Sequence, residues 1–192
     1  RRPAGSSASV AAIVADDADL EKAVAKLVPS AFAYAGQVCI KTQRIVIDAK
    51  VWDAFVPRFL DVAKKLGVGD PRKKETTVGP VIDDRSADRI CKWVEEAKAA
   101  GAKPLLEGMR NGRLLSPTVL TDVPRGAQLY REEVFGPVVI LSKVKDFDAA
   151  IAECNDGDFG LQAGVFTRDL RRVRQAFHRL EVGGVIVDDA PS

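Results

Sequence analysis

Strand-like apolar runs and helical stretches take turns along almost the whole chain, and this alternation limits the fold more than any other feature. Ser9-Val10-Ala11-Ala12-Ile13-Val14-Ala15 reads as a buried strand, and the following Asp16-Asp17-Ala18-Asp19 offers helix N-caps. From Leu20 the apolar positions Leu20, Ala23, Val24, Leu27, Val28, Ala31, Phe32 and Ala35 recur at helical spacing. Pro29 falls inside this run and is expected to kink or divide it. A strand is expected over 43–48. An amphipathic helix follows on Val51, Trp52, Phe55, Val56, Phe59, Leu60, Ala63 and Leu66, ending at Gly67. A third helix is expected over 85–100, with Gly101 at its C-cap. Residues 102–130 read as short extended pieces with a hairpin turn at Asn111-Gly112. Strands over 138–141, 161–166 and 185–187 then alternate with helices capped by Asp146 and Asp169. Units of this kind build a largely parallel sheet flanked by helices, an α/β fold.

A chain of 192 residues suffices for one domain with its own core. Basic residues number 29 and acidic residues 27, and this near-balance argues against a dedicated nucleic-acid or membrane surface. Arg171-Arg172-Val173-Arg174 therefore reads as a solvated helix face. The three cysteines, at 39, 91 and 154, form no CxxC pair, so neither a disulfide framework nor a structural zinc site is expected, and a reducing, cytoplasmic setting fits. No apolar run reaches the ~18 residues a membrane span requires. Metal-ligand spacing is absent, and so are GxGxxG and GxxxxGK[ST], so the chain carries no complete dinucleotide site of its own. Arg1-Arg2-Pro3-Ala4 has neither a starting methionine nor a signal-peptide core, and the chain stops at Pro191-Ser192 straight after a strand. Both ends are expected to belong to a longer protein.

Two segments concentrate chemistry. Cys39 lies in Ala35-Gly36-Gln37-Val38-Cys39-Ile40, where a helical stretch gives way to a strand. A thiol at such a turn is either a presented nucleophile or a packed small hydrophobe, and its neighbours do not choose between them. Cys91 falls inside a helix and reads as core, whereas Cys154, near a helix end, reads as a position open to solvent without an activating group. His178, the only histidine, sits between charged helical neighbours and reads as structural or solvated, so a nucleophilic Cys39 needs a carboxylate or water to handle its proton. The second segment, Arg131-Glu132-Glu133-Val134-Phe135-Gly136-Pro137, sets carboxylates and an aromatic before a Gly-Pro break. It suits a loop offering a carboxylate to sugar hydroxyls and a face to a flat ring, although by pattern alone a plain polar loop is preferred.

Taken in order, these pieces resemble the NAD(P)-dependent aldehyde dehydrogenases. Ala35-Gly36-Gln37-Val38-Cys39 followed by Gln43-Arg44-Ile45 is similar to the family's catalytic-cysteine segment. Glu132-Glu133-Val134-Phe135-Gly136-Pro137-Val138 is similar to its second hallmark. Asp16-Asp17-Ala18-Asp19-Leu20, Gly79-Pro80, Ser116-Pro117-Thr118-Val119, Phe159-Gly160-Leu161, Val165-Phe166-Thr167 and Gly183-Gly184-Val185-Ile186-Val187 extend the resemblance over nearly the whole chain. It implies that residues 1–192 form the catalytic domain, that Cys39 attacks an aldehyde through a thiohemiacetal and a thioester, and that its backbone N–H serves an oxyanion hole. It further implies that Glu133 bonds the nicotinamide ribose, that Phe135 packs on the cofactor, and that Gln37 shapes the cysteine loop. The cofactor would be NAD or NADP in the full-length protein, with none held tightly by these residues alone. The partner would be a small aldehyde, and the full-length protein a homo-oligomer. The family's catalytic glutamate has no counterpart here, because the matching stretch reads Pro3-Ala4-Gly5-Ser6. The segment by itself is therefore expected to be inactive. A CoA-acylating semialdehyde dehydrogenase and a non-catalytic scaffold module of the same fold are the alternatives.

Overall fold

Residues 10–157 and 160–191 are described by the structure, a computed structural model. Nine strands were found among them: β1 (Val10–Val14), β2 (Thr42–Asp48), β3 (Lys103–Leu106), β4 (Arg110–Asn111), β5 (Leu114–Leu115), β6 (Thr118–Thr121), β7 (Val138–Val144), β8 (Gln162–Phe166) and β9 (Gly184–Val187). The helices are α1 (Leu20–Phe32), α2 (Ala49–Ala63), α3 (Asp84–Ala99), α4 (Gln128–Arg131), α5 (Phe147–Asn155) and α6 (Leu170–Arg179). Seven strands form one sheet in the order β3-β6-β7-β2-β1-β8-β9, parallel throughout except for β3 against β6. The Asn111-Gly112 turn joins β4 to β5 as a small separate hairpin.

Every residue of β1 and β2 is buried, as befits central strands covered on both faces. Their side chains divide between two cores. Ala12, Val14, Ile45 and Ile47 pack with α1 and α2 around Phe32, Phe55 and Phe59, the Phe59 ring lying 6.1 Å from that of Phe32 and 5.7 Å from that of Phe55. Ala11, Ile13 and Val46 pack with α5 and α6 on the other side. Aspartates start the helices as expected: Asp19, Asp146 and Asp169 accept from Lys22, Ala149 and Arg171 backbone N–H groups.

Four expectations need correction. Pro29 does not divide α1. It and Ala25, four residues earlier, lie on the exposed face, so the carbonyl freed by the missing N–H is not forced into the core. The helix instead ends at Phe32, because Tyr34, Ala35 and Gly36 adopt left-handed backbone with φ of 55°, 56° and 67°. Within the stretch read as extended, the single turn of α4 is too short to show a period. Arg172 leaves its solvated face to pair with Asp16 and Asp17, while Arg171 and Arg174 stay exposed. Cys154 is buried, and desolvation pushes its thiol up to about 12. No described helix is long and apolar enough to cross a membrane. Pro3-Ala4-Gly5-Ser6 and Phe159 lie outside the described residues.

Candidate active site

β2 and β7 are parallel neighbours, with Arg44 opposite Ile140. The loops that lead into them therefore emerge at the same end of the sheet. Cys39 stands three residues before β2 begins, and Phe135 three residues before β7. The topology thus unites the two chemistry-bearing segments, which are nearly a hundred residues apart in sequence.

The cysteine turn is built on strain. Left-handed backbone costs roughly 1–2 kcal/mol per residue with a side chain, so Tyr34 and Ala35 keep it only because their surroundings insist. Tyr34 N–H donates to the Thr77 carbonyl at 3.2 Å. The Gln37 side-chain amide donates to the Tyr34 and Pro80 carbonyls at 3.2 and 3.4 Å, and its oxygen accepts the Ile82 N–H at 2.9 Å. Lys41 N–H closes the turn onto the Val38 carbonyl at 3.0 Å, leaving Cys39 exposed at the tip. Of the other thiols, Cys91 is half-buried.

Gly36 meets the second loop backbone to backbone. A Cβ placed on it would lie 2.2 Å from the Gly136 carbonyl oxygen, and its φ already disfavours a side chain. Gly36→Ala is accordingly expected to destabilise the fold by about 2–4 kcal/mol, or else to part the two loops. Denaturant midpoints read the first outcome, and a changed rate of Cys39 alkylation reads the second. A variant unchanged in both would mean that this contact is dispensable.

The second loop is held by side chains reaching out of the sheet and α3. Gln43 donates to the Leu129 and Glu132 carbonyls at 3.1 and 2.7 Å and accepts the Val134 N–H at 2.9 Å. Arg89, stacked 4.7 Å over Trp93, donates to the Val134 carbonyl at 3.0 Å. With Val134 fixed on both sides, Glu133 is half-buried, and Phe135, at φ 46°, leaves 39% of its surface exposed. A positive φ on an aromatic residue marks a conformation imposed by context.

Two further residues support the site, and the sequence reading assigned a role to neither. Lys41 runs buried beneath the turn, its Nζ donating to the Val138 carbonyl at the start of β7. Desolvation pulls it down to about 7, against the opposing pull of Glu133. The available signal was a lysine placed directly before a strand. On the other face of β2, Arg44 donates to the carbonyls of Glu153, Asp156 and Cys154 at 3.1, 3.2 and 3.2 Å, closing the C-terminal end of α5. Its guanidinium lies 4.8 Å over the Tyr130 ring, whose hydroxyl donates to Glu153 at 2.8 Å and is held above its ordinary range by burial.

The assembled set is an exposed thiol on a rigid turn, a half-buried carboxylate and an open aromatic face. That set fits a nicotinamide cofactor: a carboxylate accepts from sugar hydroxyls, and an aromatic face suits a planar ring. His178 is exposed on α6, edge-on to Phe177 at 5.4 Å. No group of metal-ligating side chains was found among the described residues.

Comparison with known proteins identifies the family. The sequence profile described as the aldehyde dehydrogenase family matches residues 5–192. A 3-sulfolactaldehyde dehydrogenase of Priestia megaterium is 44% identical over 180 residues, covering 94% of this chain and 38% of that protein. A vanillin dehydrogenase of Pseudomonas fluorescens is 39% identical over 171 residues, covering 89% and 36%. Among solved structures, aldehyde dehydrogenase 21 of Physcomitrella patens, in complex with succinate, superposes with a TM-score of 0.92 at 40% identity, over 97% of this chain and 39% of that one. The chain thus spans under two fifths of the length of these relatives. On the evidence of profile, sequence and fold together, the chain belongs to the aldehyde dehydrogenase family.

Proposed function

We propose that residues 1–192 are the catalytic domain of an NAD(P)-dependent aldehyde dehydrogenase that oxidises an aldehyde to a carboxylate through Cys39. The observation that carries this is the backbone contact of Gly36 with Gly136, which sets the exposed Cys39 turn against the loop bearing Glu133 and Phe135. The Cys39 thiolate adds to the aldehyde carbon, giving a thiohemiacetal on sulfur, and the Cys39 backbone N–H stabilises the developing oxyanion. When bound, NAD or NADP supplies the hydride acceptor. Glu133 would accept from its ribose hydroxyls, and Phe135 would pack against it. Loss of hydride leaves a thioester on Cys39. Water hydrolyses it, releasing the carboxylate and restoring the thiol.

The relatives' names support the class: sulfolactaldehyde and vanillin dehydrogenases both act on aldehydes, and a solved relative from Bacillus halodurans, 36% identical, is NADP-dependent. The balanced charge supports a small-molecule aldehyde as partner rather than nucleic acid or membrane, and the lack of a disulfide pattern supports a cytoplasmic setting. We assign the full-length protein to a homo-oligomer on the family resemblance. No glycine-rich phosphate loop occurs in these 192 residues, so binding of the cofactor's phosphates is assigned to the rest of the full-length protein.

The test compares aldehyde-dependent NAD(P)H formation by the full-length protein and by residues 1–192 alone. Turnover is expected from the former, independent of added CoA, with only a trace from the latter. Full turnover by the short chain, or a strict requirement for CoA, would overturn this assignment.

A further inference from the structure

Lys41 has no place in the mechanism above, yet it is the most unusual group near the site. Lysine is almost never fully buried unless paired, and Lys41 is 4% exposed. Its route is defined by neighbours on both loops. The side chain passes beneath Gly36, where Cε lies 3.2 Å from the place a Cβ would take, and Nζ ends on the Val138 carbonyl. Backbone N–H of the same residue closes the Cys39 turn. A single side chain therefore spans from the nucleophile's turn to the strand that follows the Glu133 loop.

We propose that Lys41 is a positioning residue that ties the Cys39 turn to the entry of β7 and, through its charge, governs how available Glu133 is to a cofactor's ribose hydroxyls. This rests on reading Glu133 as the ribose carboxylate. Glu133 acts on Lys41 from the second loop. Arg89 of α3 acts on Glu133 as well, and Asp83 at the start of α3 acts on Arg89. Cys39 shares the turn with Lys41. As an ammonium, Lys41 draws the Glu133 carboxylate away from a competing hydroxyl donor. As an amine, it keeps its bond to the Val138 carbonyl and releases Glu133. Burial puts the change near neutral pH, so the grip on cofactor tightens as pH rises through it.

Two measurements on the full-length protein test this. The first is NAD(P)H affinity, followed by fluorescence at pH 6 and pH 8. Wild type should bind about fivefold more weakly at pH 6. Lys41→Gln, which keeps a donor without the charge, should lose that difference, as should Lys41→Met. A flat wild-type profile, or a slope kept by Lys41→Gln, would overturn the proposal. The second readout needs no cofactor. Folded Lys41 titrates below its ordinary value of 10.5, so between about 7 and 10.5 the unfolded chain binds the extra proton and stability rises with pH. The penalty is largest below 7. The midpoint of wild type should thus climb by a few degrees relative to both variants between pH 7 and pH 9.5. A gap constant with pH would show a neutral packing role and overturn the proposal. Should Lys41→Met fail to fold, Lys41→Gln carries both tests. Glu133→Gln separates the two layers: if it binds cofactor as wild type does, the ribose assignment of Glu133 fails, and the midpoint gap still decides whether Lys41 is a titrating buried cation.

Discussion

Cys39→Ala in the full-length protein should lower kcat/KM for aldehyde oxidation by a factor on the order of 10³ or more. The thermal midpoint should hardly move. The two halves of this expectation come from different properties of the residue. Cys39 is exposed at the tip of a turn held by Gln37, Lys41 and Gly36, and its own side chain belongs to neither core. Removing it leaves no cavity, so the change should stay within about 0.5 kcal/mol, as for ordinary surface positions. It does remove the sulfur on which the proposed thiohemiacetal and thioester would form. Cys39→Ser restores size and polarity but offers an alcohol that ionises far less readily than a thiol, so it should recover little of the rate. Replacement of Cys91 by serine should leave the rate near wild type. Steady-state rates and melting curves on the same preparations settle the matter. A Cys39→Ala enzyme retaining more than a few per cent of activity would remove Cys39 from the chemistry.

Arg44→Met is expected to show the opposite pattern, a large loss of stability that reaches activity only through the fold. Arg44 is 1% exposed, and its guanidinium satisfies three carbonyls at the end of α5. Methionine fills much of the volume and donates nothing. Each orphaned carbonyl costs about 1–3 kcal/mol, and partial relaxation toward water brings the expected total to about 3–5 kcal/mol. Tyr130 also loses the cation over its ring. Arg44→Lys should rescue only part of this, because an ammonium on a flexible stem cannot fan three bonds from a plane. Denaturant midpoints are the measurement. A change below about 1 kcal/mol would show that water satisfies α5 without the arginine.

Local features of the sequence carried the architecture. Asp19, Asp146 and Asp169 cap helices because an aspartate before an apolar period has one nearby use, and β1 read as buried because its run is continuously apolar, whereas β2 was legible only as a strand, its Thr42, Gln43, Arg44 and Asp48 giving no sign of burial. The Cys39 turn was likewise legible from Gly36 and the change of period around it. Glu133 and Phe135 were not: their pattern alone suits any polar loop, and an aromatic at positive φ has no local signature. The supports were hidden for one reason. Gln43, Arg44 and Lys41 meet partners 86 to 112 residues away, and only strand order makes those pairs neighbours. Pro29 misled because a proline's effect depends on which face of the helix it occupies, and Cys154 because a helix end need not be a surface.

Adjacent residues of β2 fasten opposite sides of the sheet: Gln43 holds the loop before β7, and Arg44 holds the end of α5. A slip of β2 by one residue against its neighbours would exchange the faces of both, presenting a guanidinium to the loop's carbonyls and an amide to the helix. No partial rescue exists, since both fastenings fail together. Assembly is then all-or-none, and it waits on the pairing of strands far apart in the chain, a slow class of event in folding. The Cys39 turn set against its partner loop therefore exists only in molecules whose central strands are already in register, and incompletely folded forms of the protein expose the thiol without the loop beside it.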